Sequence, residues 1–173
     1  MNLSKLPVEN WNVLHQTPAQ LTHFSGHAEV TENGLSVSGA SRAEVYTGFH
    51  DWKDYIVTAS LIPKTGDTHK ILFRVQGSMR SYEVALQKEN KLVLSKREDG
   101  HCLTLTECDF VWCCQESVEI QIRVHQDTIH VFLKDKEMIS FVDPSPYQKG
   151  CIGFGNSGAA KTLFQNYKVE SIA

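Results

Sequence analysis

Several things are scarce in this chain of 173 residues. No apolar run approaches the roughly 18 residues that a membrane-spanning helix needs, so no membrane partner is expected. The opening MNLSKLPVENWNVLHQTPAQ lacks the apolar stretch of a secretory leader, which points to a cytoplasmic chain. Basic residues do not prevail: 17 Lys and Arg stand against 20 Asp and Glu, a net charge of −3. That balance cannot neutralise a track of phosphates, and nucleic acid is not expected as a partner.

Cysteine is sparse and odd in number: Cys102, Cys108, Cys113, Cys114 and Cys151. A disulfide framework would show an even set, and no CxxC pair or His-rich zinc spacing occurs. The residues read as free thiols in a reducing compartment. The adjacent Cys113 and Cys114 leave a redox pair as the other reading.

Helical spacing is missing as well. No segment longer than ten residues repeats apolar positions at three and four, and only Cys113–Val118 and Ser157–Thr162 suit short turns. A nucleophile elbow, a phosphate-cradling glycine loop and HExxH are absent. Gly150-Cys151-Ile152-Gly153-Phe154-Gly155 has the glycines of a nucleotide loop but no helix pattern after it, so it reads as close strand packing. Glycoside hydrolysis needs two facing carboxyl groups. The candidates Glu98-Asp99 and Glu107-x-Asp109 fall at expected turns or loop edges, and Glu119 has Gln121 and Arg123 as face neighbours. No catalytic pair is expected.

What is present is alternation with a period of two. From residue 21 onward, strand-like runs recur at about ten-residue spacing, separated by turn signals such as Glu32-Asn33-Gly34, Gly77-Ser78-Met79 and Lys88-Glu89-Asn90. Ile71, Phe73 and Val75 alternate with Leu72, Arg74 and Gln76. Val118, Ile120, Ile122 and Val124 alternate with Glu119, Gln121, Arg123 and His125. One buried and one wet face per strand predicts an all-β fold, an antiparallel two-sheet β-sandwich. Residues 1–20 read as a lead-in segment with one short strand at Trp11–His15, and 21–173 as a single sandwich domain.

Pairing 71–77 with 81–87 and then 91–97 places Arg74, Gln76, Glu83, Ser95 and Arg97 on one outer face, with Arg74 about opposite Glu83. Sugars offer many hydroxyls and an apolar ring face, so their sites want charge-assisted hydrogen bonds beside flat apolar surface. The five residues are therefore the candidate ligand-binding set; a solvated face with an ordinary ion pair is the competing reading. Trp52 and Trp112 read as packing residues, with an apolar docking patch near Phe132 or Trp112 as the other use. No cofactor is required. One structural calcium remains an option, with Asp51, Asp54, Asp143 and Glu29 as donors.

The segments WKDYIVTASLIP, ILFRVQGSMRSYEVAL, KLVLSKRE, VEIQIRVHQDTIHVFLKDKEMISFVD and GCIGFG together resemble the concanavalin A-like lectin/glucanase (laminin-G-like) superfamily across about residues 35–170. More narrowly, they are similar to the carboxyl-terminal non-catalytic domain of bacterial ADP-ribosylglycohydrolase-family proteins and to 3-keto-disaccharide hydrolase-type domains. The resemblance implies a jelly-roll sandwich. It implies a carbohydrate-binding accessory module of a larger hydrolase, with a glycan and a catalytic domain of the same parent chain as partners. Nothing in the chain matches that family's helical, magnesium-binding domain. Arg74, Tyr82 and Lys96 sit where the module pattern has Arg, Tyr and Lys, and the pairing turns Tyr82 and Lys96 away from Arg74. A structural docking domain and a glycoside hydrolase acting on a sugar derivative are the alternatives.

Overall fold

A computed structural model of the chain describes residues 22–172, so the strand expected at Trp11–His15 lies outside the described residues. The strands are β1 (Thr22–Phe24), β2 (His27–Thr31), β3 (Gly34–Ser38), β4 (Ala43–Thr47), β5 (Tyr55–Thr65), β6 (Thr68–Gly77) and β7 (Arg80–Gln87). They continue with β8 (Lys91–Glu98), β9 (His101–Asp109), β10 (Val118–His125), β11 (Thr128–Leu133), β12 (Lys136–Val142), β13 (Cys151–Ser157) and β14 (Lys161–Ser171). No helix occurs among the described residues.

Two seven-stranded antiparallel sheets face each other, ordered β1-β4-β13-β6-β7-β8-β9 and β12-β11-β10-β5-β14-β3-β2. Alternation explains the core. Ile71, Phe73, Tyr82, Val84, Leu92, Leu94 and Phe154 of the first sheet meet Val57, Leu61, Ile120, Ile122, Val131 and Phe164 of the second, all buried. Each such side chain contributes roughly 1.5–3 kcal/mol of transfer free energy, and the intervening polar residues are left to the outer faces. Trp52 is also buried, edge-on to Phe49 and Tyr55, and closes one end of the core as a packing residue.

Two features depart from the sequence reading. Strand β9 was not expected: it is the edge of its sheet, has no fully buried residue, and packs only Leu105 and Cys108 against the core. Glu107 and Asp109 therefore lie on a strand rather than at loop edges, and Asp109 pairs with Lys91 across from it at 2.5 Å. The second departure is a break in the β6–β7 register between Phe73 and Gly77. Arg74 there takes a positive φ of 44°, and against β13 one extra residue, between Leu72 and Val75, reverses which face follows. Val75, expected beside Ile71 and Phe73, packs instead with Leu72, Tyr46 and Cys151 on the outer side of the first sheet.

Candidate functional site

The outer face of the first sheet is where charged side chains gather. Register puts Glu44 beside Gly155, Gly155 beside Lys70, and Lys70 beside Ala85. A second rank runs Tyr46, Gly153, Leu72, Glu83 and Ser95. Glycine between the two long polar side chains of the first rank has a steric reason. A Cβ at position 155 would stand 2.4 Å from the Ala43 carbonyl oxygen and 2.8 Å from Glu44 Cγ, so only a bare backbone lets Glu44 lie across β13 and reach Lys70. The glycine-rich segment is thus a packing device, as its pattern suggested.

A chain of alternating charge results. Arg42 donates Nε to Glu44 Oε2 at 2.6 Å and Nη2 to Oε1 at 2.8 Å. Its guanidinium lies over the Phe24 ring at 4.4 Å. Lys70 Nζ stands 2.8 Å from Glu44 Oε2 and 3.1 Å from Glu83 Oε2. Arg97 Nη2 is farther from Glu83, at 3.7 Å. Tyr46 donates its hydroxyl to Glu44, and the Cys102 thiol donates to Glu83 Oε1 at 3.3 Å. Burial alone would push the Glu44 carboxyl up, but the hydrogen bonds from Arg42 and Lys70 and the Lys70 charge outweigh it and hold the pKa at about 2. Burial raises the Cys102 thiol, and the Glu83 charge adds to the rise.

Of the five residues predicted for this face, Glu83, Ser95 and Arg97 lie together here, with Ser95 opposite Glu83 and Arg97 opposite Ser81. Arg74 does not. Leu72, not Arg74, stands opposite Glu83, and the bulge turns the Arg74 side chain into one end of the sandwich. There it is 1% exposed and donates to the carbonyls of Lys53, Gln126 and Tyr147 and to Asp54. Gln76, past the same bulge, donates to the Lys149 carbonyl. Lys70, opposite Ala85, makes the ion pair with Glu83 that was expected of Arg74. The sequence reading missed Arg42, Glu44 and Lys70 as members of the set. The usable signal was the pair of alternating glycines in Gly153-Phe154-Gly155, which leaves room for neighbouring side chains to cross a central strand.

Tyr82 and Lys96 turn inward and meet at Asp143, with the hydroxyl at 2.6 Å and the ammonium at 2.8 Å. Lys96 also donates to the Ser145 carbonyl, and the Tyr82 hydroxyl accepts the Tyr147 amide. These two residues pin the loop ahead of β13. Asp143 and Asp54 thus have oxygens committed to Lys96 and Arg74, and among the described residues no three His, Cys, Asp or Glu side chains gather as metal ligands. Trp112 packs on the buried His69 ring and donates to the Gln87 carbonyl, which anchors the loop before β10.

Two carboxylates, Glu44 and Glu83, do share one ammonium, an arrangement the sequence reading did not foresee. A glycosidase acid must stay protonated near neutral pH. Glu44 is held ionised, the state of the nucleophile or base of such a pair rather than of its acid.

No family model and no curated protein matches the sequence. The fold has solved counterparts. The carbohydrate-binding module CBM66 from Bacillus subtilis superimposes with a TM-score of 0.82 at 18% identity, over 88% of this chain and 96% of that one. A protein of unknown function with a galectin-like fold, also from Bacillus subtilis, gives 0.70 at 12% identity, over 92% and 94%. A sialidase gives 0.66 at 10% identity, over 88% of this chain but 17% of its own. The chain has the concanavalin A-like, lectin-type sandwich fold.

Proposed function

We propose that this chain is a non-catalytic carbohydrate-binding module, and that its sugar site is the row Arg42, Glu44, Lys70, Glu83, Ser95 and Arg97. One observation carries the reading: the sandwich superimposes on the carbohydrate-binding module CBM66 with a TM-score of 0.82 over 88% of this chain, and its first sheet gathers Arg42, Glu44, Lys70, Glu83 and Arg97 into one run of ion pairs. Sugar hydroxyls can donate and accept at such positions. Similar sandwiches include a carbohydrate-binding module and a small part of a sialidase, which suits an accessory role.

The finer reading is that the module is the carboxyl-terminal domain of a larger hydrolase of the ADP-ribosylglycohydrolase or sugar-hydrolase kind, working in a reducing compartment. It rests on the sequence resemblance and on five free thiols. In this reading catalysis is left to the parent chain.

A docking role has one observation in its favour. A cavity of about 350 Å³ at the strand ends is lined by Phe110, Val111, Trp112 and Met138, with Val111 75% exposed. A panel of neutral and acidic glycans, titrated by calorimetry against the chain and its Glu83→Gln variant, separates the readings. Sugar binding requires at least one millimolar-or-tighter ligand that the variant loses at least tenfold. A panel in which nothing binds gives the role to docking.

A further inference from the structure

The outer face of the second sheet carries an open groove of about 400 Å³, lined by Arg123, His125, Thr128, His130, Phe132 and Ile172. Among the described residues its lining holds one arginine and two histidines and no acid. The two-residue period brings them together. Arg123 and His125 alternate with the buried Ile122 and Val124 on β10, and Thr128, His130 and Phe132 alternate with the buried Ile129, Val131 and Leu133 on β11. The register sets Arg123 opposite His130 and His125 opposite Thr128. Opposed side chains on one face have Cβ atoms about 4.5–5.5 Å apart, so one small group can touch several of them.

An arginine on a sheet face is stabilised by an acid on a neighbouring strand. Arg42, Arg74 and Arg97 each have a carboxylate partner. Arg123 is exposed and has none among the described residues. Its neighbours on the face are His130 on β11, Ile56 on β5, and Gln121 and His125 along its own strand. Two acids farther out on the face are committed elsewhere: Glu137 to His130 Nδ1 at 2.5 Å, and Glu170 to Lys168 at 3.4 Å. The Arg123 guanidinium lies over the Phe132 ring, 5.9 Å from its centroid, which steadies it on the groove wall without using its N–H groups.

We infer that this groove is a second binding site, and that it takes the oxyanion of a small acidic ligand. A carboxylate, sulfate or phosphate group is held by the Arg123 fork and the His125 ring, with the carbon skeleton of the ligand against Phe132 and Ile172. The planar guanidinium offers such a group two parallel N–H bonds, and an imidazole keeps one N–H donor even when neutral. The groove is on the sheet opposite the charged row and does not depend on the sugar-binding reading of that row.

The experiment follows the amide and arginine Nε–H signals of the ¹⁵N-labelled chain by NMR while phosphate, sulfate, glucuronate or glucose is added at constant ionic strength. The expected result is saturable shifts at residues 121–132 and Ile172 with at least one acidic probe, half-maximal at about 10 mM or below, and none there with glucose. Comparison of the three acidic probes identifies the oxyanion preferred. Arg123→Gln, at an exposed position, should raise the half-saturation point at least fivefold. Lys161→Gln, which removes the same charge from an exposed site on β14, should leave it unchanged. Absent or non-saturating shifts, shifts spread over the other exposed lysines and arginines, or equal shifts with glucose overturn the inference, and all are read on the unaltered chain. Binding that survives Arg123→Gln overturns it as well. None of these outcomes bears on the charged row, whose own test is the Glu83→Gln titration.

Discussion

The amide of Arg74 donates to the Tyr55 hydroxyl over 2.6 Å, and so joins β6 of the first sheet to β5 of the second. The same hydroxyl lies 3.1 Å from the Gly150 carbonyl at the entry to β13. Three strands from two sheets therefore converge on one phenol, and burial drives its pKa well above the ordinary tyrosine value. The Arg74 guanidinium extends the junction by gathering the carbonyls of Lys53, Gln126 and Tyr147. An arginine that sequence alone offers as a ligand residue is a structural tie between the layers.

Arg74→Lys tests that assignment. Lysine keeps the charge but cannot reach several carbonyls in fixed directions. Charged hydrogen bonds contribute about 1.5–3 kcal/mol each, and buried carbonyls left empty add to the loss. The variant should unfold with about 2–4 kcal/mol less stability in urea while its glycan preference stays that of the parent. A loss below about 0.5 kcal/mol, which is ordinary for a surface change, contradicts the role.

Lys70→Met removes the ammonium that Glu44 and Glu83 share. Leaving one side of a buried ion pair uncompensated costs about 3–5 kcal/mol. The triple variant Lys70→Met, Glu44→Gln, Glu83→Gln should recover much of it, because no lone buried carboxylate remains. Thermal or chemical denaturation of both proteins measures the difference.

Gly155→Val distinguishes crowding of the row from damage to the core. The added carbons collide with the Ala43 carbonyl oxygen and Glu44 Cγ on the outer side of β13. Overpacking of this kind costs typically about 1–3 kcal/mol. It should also swing Glu44 off Lys70, so that glycan affinity falls even where the protein remains folded by circular dichroism.

Stability should decline in two stages as pH falls. Burial lowers the pKa of His69 below its ordinary 6.5. The unfolded chain thus takes up a proton that the folded one refuses, and stability present above pH 6.5 is lost as the pH drops below it. The Glu44 carboxyl is held at about 2 against an ordinary 4.5, so its contribution is present above 4.5 and is lost between there and about 2. Asp143, held down by Lys96 and Tyr82 against the opposing effect of burial, acts in the same direction below its ordinary 3.8. Scanning calorimetry from pH 8 to 2 should show a shallow limb and then a steeper one. Glu44→Gln should flatten the steeper limb, and an unchanged profile in that variant counts against the ionised pairing.

The parts of the fold that alternation could reach were legible. Val118, Ile120, Ile122 and Val124 are buried and Glu119 and Arg123 are not, because a strand with one face in a core must repeat every two residues. Strand β9 was not legible, since an edge strand that packs only Leu105 and Cys108 on the core carries no sustained repeat. Glu83, Ser95 and Arg97 could be placed on one face because β7 and β8 pair without a shift across those positions.

Local sequence determined the two-sheet class, most strand positions and the inward side chains, for these follow from the two-residue period and turn chemistry acting over short distances. Only the tertiary structure decided which charges meet. Phe73 to Gln76, at the bulge, include no glycine or proline, and one residue inserted against β13 exchanges the two faces of the strand. Likewise Glu44 reaches Lys70 only because β13, from far along the chain, inserts between β4 and β6 and presents Gly155 at the crossing point. Pairing between distant strands is set by packing of the whole sandwich, and no pattern within either strand records it.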